Sequence, residues 1–296
     1  MVITERLREM IGENPIKLNE IQEIRVRIGR PVMIYRNGEE LQSGTVVDRV
    51  MVKELLGVCS RHSLYAFEDE MRQGFMTIEG GHRVGIAGRA VMEGNQVRSL
   101  KDISALTIRI AHQCIGCADS VIPWLYEHGE IQSTLFISPP GAGKTTMLRD
   151  VIRQVSDGNK FGSGVSVSVV DERSEIGACF QGTPQCDLGK RTDVMDGCPK
   201  AVGMLMMIRS MAPAVVAVDE IGTDADLEAL WDVMKCGCKV LATVHGACVE
   251  DLDKKRVVRE MVRGGMFDRY VVLSKVPEPG TVTEIYDRDL RELWRM

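Results

Sequence analysis

The chain has 296 residues, a formal net charge of −5, 44% hydrophobic residues and 27% charged residues. That length accommodates two domains of ordinary size, and that balance excludes a disordered or fibrous chain. The negative charge excludes bulk electrostatic attraction to nucleic acid or anionic lipid, and the mixed Glu and Arg of MVITERLREMIGENP do not form the apolar core of a signal peptide.

In chain order, Ile3, Leu7, Met10 and Ile11 repeat at helical spacing. Ile24, Val26 and Ile28 then alternate with Arg25 and Arg27, the pattern of a half-buried strand. Pro31 opens a second strand that turns at Asn37-Gly38, a hairpin signal. Residues 46–60 read as a helix, and the short alternating runs of 75–109 as an antiparallel sheet. Gly81, Gly85 and Gly88 lie within that sheet with no helix following, so they mark bulges and close packing rather than a nucleotide site.

The polar, aperiodic stretch AHQCIGCADS separates a domain of residues 1–112 from one of residues 113–296. Beyond it, apolar runs alternate with helical patterns. TLFIS precedes a helix over 145–155, and VSVSVV precedes a long loop over 176–200. A helix over 201–211 leads to AVVAV, and one over 224–234 to KVLATV. This rhythm predicts an α/β fold, a mostly parallel sheet covered on both faces and preceded by a smaller α+β domain. Residues 270–273 and 281–286 add strands at the end. Arg209 and Pro213 divide the apolar stretch 201–218 into a buried helix and a buried strand, so no membrane span is expected there. The nine cysteines lack the spacing of a disulfide framework or a zinc site and read as reduced thiols.

One stretch carries chemistry directly. SPPGAGKTT, Ser138 to Thr146, follows a predicted buried strand and opens a helix, the context of a phosphate-binding P-loop. Ser138 stands where the first glycine of that motif belongs. The nucleotide-binding set is Pro140, Gly141, Ala142, Gly143, Lys144, Thr145 and Thr146. Backbone N–H groups curl around phosphates, Lys144 reaches the β- and γ-phosphates, and Thr145 ligates Mg²⁺. A second apolar run, AVVAVDE, ends in Asp219, placed to hold Mg²⁺, and Glu220, placed to polarise the attacking water. VSVSVVDERSE delivers Asp171, Glu172 and Glu175 to the same sheet edge, and KVLATVH delivers His245.

The order of P-loop, acidic box (VVDERSE), DEIG and histidine box (LATVHG) resembles the secretion ATPase superfamily of RecA-like hexameric motors. SPPGAGKTTMLRD, VVDERSEIGACFQG, GKRTDVMDGCPKAVGMLMMIRSM and VVAVDEIG resemble, more tightly, the stage III sporulation protein AA family of endospore-forming bacteria. The resemblance implies a RecA-like domain using ATP and Mg²⁺, with Glu220, Lys144, Glu172 and His245 as catalytic residues. Glycine precedes the catalytic glutamate in many secretion ATPases, so the Mg²⁺ role of Asp219 rests on general P-loop chemistry. The resemblance also implies a homo-oligomer, a hexamer, in the mother-cell cytoplasm. It would be held peripherally at the membrane by proteins of a channel to the forespore. Such motors complete their site with an arginine from another subunit or from the N-terminal domain. The candidates are Arg83, Arg89, Arg109, Arg173 and Arg191, with Arg109 and Arg191 favoured. Two other readings compete with the motor, a nucleotide-gated assembly scaffold with negligible turnover and a nucleic-acid translocase. The acidic charge and 5% aromatic content oppose the latter, and no nucleic-acid partner is expected.

Overall fold

The structure, a computed structural model, describes residues 20–36, 38–63 and 67–296. The helical pattern from Ile3 to Ile11 and the turn residue Asn37 lie outside them. Contacts divide the chain into two units, Met1–His112 and Gln113–Met296.

The first unit is built on a six-stranded antiparallel sheet. Its strands are β1 (Ile21–Arg27), β2 (Pro31–Arg36), β3 (Glu39–Val46), β4 (Phe75–Ile78), β5 (His82–Glu93) and β6 (Gln96–Arg109), in the order β3-β2-β1-β6-β5-β4. Alternation sets its buried face: Ile24 and Val26 of β1, Val84 and Ile86 of β5, and Leu106 and Ile108 of β6 are buried, while Arg25, Arg83 and Arg109 are not. Helix α1 (Arg49–Cys59) starts where the Asp48 carboxylate accepts the Met51 N–H at 2.8 Å, and it buries Val52, Leu55, Leu56 and Cys59. A short helix, α2 (Glu68–Arg72), precedes β4.

The second unit carries an eight-stranded, mostly parallel sheet. Its elements are β7 (Thr134–Ser138), α3 (Lys144–Asp157), β8 (Val167–Asp171), β9 (Thr192–Asp196), α4 (Lys200–Ser210), β10 (Val215–Val218), α5 (Asp224–Lys235), β11 (Lys239–His245), α6 (Arg256–Arg263), β12 (Arg269–Ser274), β13 (Thr281–Asp287) and β14 (Glu292–Arg295). The strand order is β9-β8-β10-β11-β7-β12-β13-β14. The first six run parallel, and β13 and β14 extend the sheet antiparallel. Successive residues of each central strand feed opposite cores, which is why the strands read as unbroken apolar runs. Leu135 and Ile137, with Val216 and Val218, face the core packed by α4, α5 and α6. Phe136, with Val215 and Ala217, faces the core packed by α3.

Two expectations meet the structure here. The apolar stretch 201–218 is helix α4 followed by strand β10, and no helix among the described residues is long and apolar enough to cross a membrane. The loop expected over 176–200 contains a strand instead, β9, paired in parallel with β8. Its sequence, TDVMD, has only two apolar residues, because an edge strand has a single neighbour to satisfy.

Candidate active site

Four neighbouring strands, β8, β10, β11 and β7, bring Asp171, Asp219–Glu220, His245 and the loop after Ser138 to one edge of the parallel sheet. This is the edge at which doubly wound sheets bind ligands. His245 and Ser138 are register partners across β11 and β7.

The loop connects β7 to α3. Gly141 and Gly143 adopt φ values of +71° and +81°, so both positions need glycine. A Cβ on Gly143 would also stand 3.0 Å from the backbone nitrogen of Gly280. Ser138 has no such requirement: it closes β7, fully buried, without a positive φ. The missing first glycine therefore leaves the cradle intact. Pro140 and Gly141 form the exposed crest. The buried Ala142 accepts the Gly280 N–H at 3.0 Å through its carbonyl, and Thr146, in the first turn of the helix, accepts the Cys117 thiol through its carbonyl at 3.6 Å.

Lys144 is buried and donates to Glu220 Oε1 at 2.7 Å. Thr145 Oγ1 donates to Asp219 Oδ2 at 2.6 Å. His245 Nε2 lies 2.9 Å from Glu220 Oε1, and Arg173 Nη1 donates to Glu220 Oε2 at 3.1 Å. Glu220 thus faces three cationic or donor side chains. Burial pushes its carboxyl upward, but the hydrogen bond and charge of Lys144, with His245 and Arg173 adding to them, outweigh that and hold it below the ordinary glutamate value. The backbone at Glu220 is left-handed, with φ +53°, a conformation costing about 1 kcal/mol or more for a residue with a side chain. It is held there from β11, where the fully buried Thr243 accepts the Glu220 N–H at 2.8 Å and donates to Asp219 Oδ1. Beyond the acids, Thr223 and Asp226 form a reciprocal capping box that starts α5 and fixes the exit of the DEIG turn.

The acids of β8 are used differently. Asp171 is buried and accepts the backbone N–H groups of Glu175, Ile176 and Gly177 at 2.8, 2.9 and 2.8 Å. Burial nonetheless raises its carboxyl above the ordinary value. Glu172 pairs with Lys200 at the start of α4. It shares a small cleft with Arg173, Asp219 and Glu220. Of the four residues expected to be catalytic, Lys144, Glu220 and His245 therefore meet at one carboxylate, and Glu172 is held beside them by another partner.

Magnesium fits the donor set. Thr145 and Asp219 present a hydroxyl and a carboxylate 2.6 Å apart beside the phosphate loop, the hard oxygen donors Mg²⁺ takes. The arginine candidates divide. Arg173 is in the site. Arg191 precedes β9 at the opposite edge of the sheet, and its guanidinium donates to the Ser156 carbonyl near the end of α3 at 2.8 Å. In the first unit, Arg83 and Arg109 are register partners on β5 and β6. Arg83 stacks over Phe75 and Arg109 lies 3.4 Å from Glu23, in a groove that also holds Arg25. Arg89 lies further along β5, opposite Lys101. Sequence reading missed Thr243, Lys200 and the Gly280 contact. The two-residue period placing Thr243 on the face of His245 was the available signal for the first.

The family model for sporulation stage III, protein AA, matches residues 1–293 of the chain. The chain belongs to that family. It is 43% identical over 292 residues to stage III sporulation protein AA of Bacillus subtilis, covering 97% of this chain and 94% of that one. Among solved structures, this family member resembles the ATPase DotB of Legionella pneumophila, with a TM-score of 0.62 and 16% identity over 92% of this chain and 79% of that one. It also resembles the pilus retraction motor PilT with bound ADP, at a TM-score of 0.56 and 14% identity over 86% of this chain and 74% of that one. At these identities the likeness is one of fold, a RecA-like α/β domain with a mostly parallel sheet preceded by a smaller antiparallel sheet.

Proposed function

We propose that this chain is a Mg²⁺-dependent ATPase of the secretion type. It works as a homo-oligomeric ring, cytoplasmic in the mother cell and peripheral at the membrane, powering or assembling a channel to the forespore through membrane partners. The observation that carries the reading is the convergence of Lys144 on Glu220 and Thr145 on Asp219 at the mouth of a glycine-shaped phosphate loop.

Lys144 and Glu220 neutralise one another across 2.7 Å. Nucleotide phosphates compete for Lys144, and its transfer to them leaves Oε1 of Glu220 to take a proton from an attacking water. His245, 2.9 Å from that oxygen, is placed to follow the change. Thr145 and Asp219 would hold Mg²⁺, which when bound neutralises charge on the phosphate oxygens. Glu172, engaged by Lys200, sets charge in the adjoining cleft. Arg109 and Arg191 are the candidates for an arginine supplied by another subunit. Such a group is worth on the order of 10³ to 10⁵ in rate in other P-loop enzymes.

The test is MgATP binding and hydrolysis per subunit across protein concentration, with Glu220→Gln as the blank. Turnover that climbs with concentration supports a site completed between subunits. Binding without turnover at any concentration supports the scaffold instead.

A further inference from the structure

The two oxygens of Glu220 serve different partners. Oε1 takes Lys144 and His245, while Oε2 takes Arg173 alone among the described contacts. Lys144 must leave for the phosphates if the ATPase reading holds, so Oε1 is the oxygen that becomes available to water. With Lys144 gone, Oε1 keeps His245 as its one described partner, and a long side chain on a left-handed backbone is better fixed by a hold on the other oxygen, which leaves Oε1 open to water.

The segment that carries Arg173 is fastened on every side. Asp171 grips the N–H groups of Glu175, Ile176 and Gly177, and the Asp171 carbonyl accepts the Gly197 N–H at 2.9 Å. Arg149, buried on α3, donates to the carbonyls of Ile176 at 2.7 Å and Glu175 at 2.8 Å. Ser174 Oγ donates to Asp196 at the end of β9. The turn is thereby tied to the phosphate-loop helix and to two strands, and its tip presents Arg173 to Glu220. Such a turn positions a guanidinium in advance rather than at the moment of reaction.

We propose that Arg173 is the positioning residue of Glu220. It holds Oε2 from within the same chain while Lys144 is away, so that Oε1 alone is turned to the attacking water. The other groups facing Glu220 or sharing its cleft are Lys144, His245, Asp219, Glu172 and Lys200, with Asp171 and Glu175 at the rim. Arg173 is the one cation among them that neither the phosphates, as proposed for Lys144, nor Glu172, as seen for Lys200, engages.

The experiment compares the full chain with Arg173→Ala, Arg173→Lys and Arg173→Gln, measuring MgATP affinity by calorimetry and hydrolysis in a single turnover. Arg173 is two-thirds exposed, so unchanged thermal unfolding verifies that each variant folds. Expected for Arg173→Ala is a fall in turnover of about tenfold or more with affinity within about twofold of wild type. Lysine restores most of the rate and glutamine does not. The inference is overturned by wild-type turnover in Arg173→Ala, by a loss that lysine does not restore, or by a loss confined to affinity or to stability. It rests on the ATPase reading: a wild-type chain no faster than Glu220→Gln overturns both together, whereas wild-type turnover with an indifferent Arg173→Ala overturns this inference alone.

Discussion

Strands β8 and β10 have nearly the same sequence signature, an apolar run closed by Asp-Glu, and they lie side by side in the sheet. Their acids nonetheless do different things. The pair after β10 faces the phosphate loop, Asp219 on Thr145 and Glu220 on Lys144. The pair at the end of β8 is turned to the protein, Asp171 on three backbone N–H groups and Glu172 on Lys200. The difference lies in the residues that follow. After β10 a short DEIG turn is stopped by the capping box of α5, leaving the carboxylates at the mouth of the site. After β8 the chain runs through a longer segment to β9, and its backbone groups need a buried acceptor, which Asp171 supplies. An acid at the C-terminal end of a parallel strand is thus equally a catalytic group or the fastening of a loop.

The comparison breaks most readily at Glu220. Glu220→Gln is expected to slow hydrolysis on the order of 10² to 10⁴. It leaves MgATP affinity equal or higher, because Lys144 no longer has a carboxylate to leave. Rapid-quench kinetics beside calorimetry separates the two effects. Lys144→Ala removes charge-assisted contacts worth about 1.5–3 kcal/mol each, so affinity for MgATP falls by roughly 10- to 150-fold in the same titration. Retained tight binding would remove the phosphate loop from the account.

On the β8 side the effects are on stability. Asp171→Ala leaves three N–H groups, two of them buried, without their acceptor and is expected to cost about 1–3 kcal/mol. That lowers the unfolding midpoint by roughly 2–4 °C per kcal/mol in a chain of this size. Glu172→Gln removes a partly exposed pair worth about 0–1 kcal/mol, and its hydrolysis rate stays within about threefold of wild type. The smallest effect concerns pH. The folded Glu220 carboxyl is held below its ordinary 4.5, so the stability it confers is full above about pH 4.5 and is lost as pH falls through the folded value. The difference in unfolding midpoint between wild type and Glu220→Gln should therefore shrink in acid.

Much of this was legible in the sequence, for identifiable reasons. Local chemistry marked the loop between β7 and α3, where Gly141 and Gly143 take the positive φ that glycine permits. The unbroken apolar strands followed from burial on both faces, and the alternation in β1, β5 and β6 from burial on one. What escaped depended on neighbours remote in sequence. Strand β9 has too few apolar residues to show a period, and it is a strand because β8 lies beside it. The left-handed Glu220 is sustained by Thr243, 23 residues away. The division of labour between Glu172 and Glu220 is set by Lys200 and Lys144, neither of which advertises its partner locally.

The most direct measurement is single-turnover MgATP hydrolysis by Glu220→Gln and Glu172→Gln side by side, both checked for nucleotide binding. The account expects the first to bind and not turn over, and the second to match wild type within about threefold. Loss of turnover in Glu172→Gln with Glu220→Gln active would move the chemistry to the other strand and contradict it.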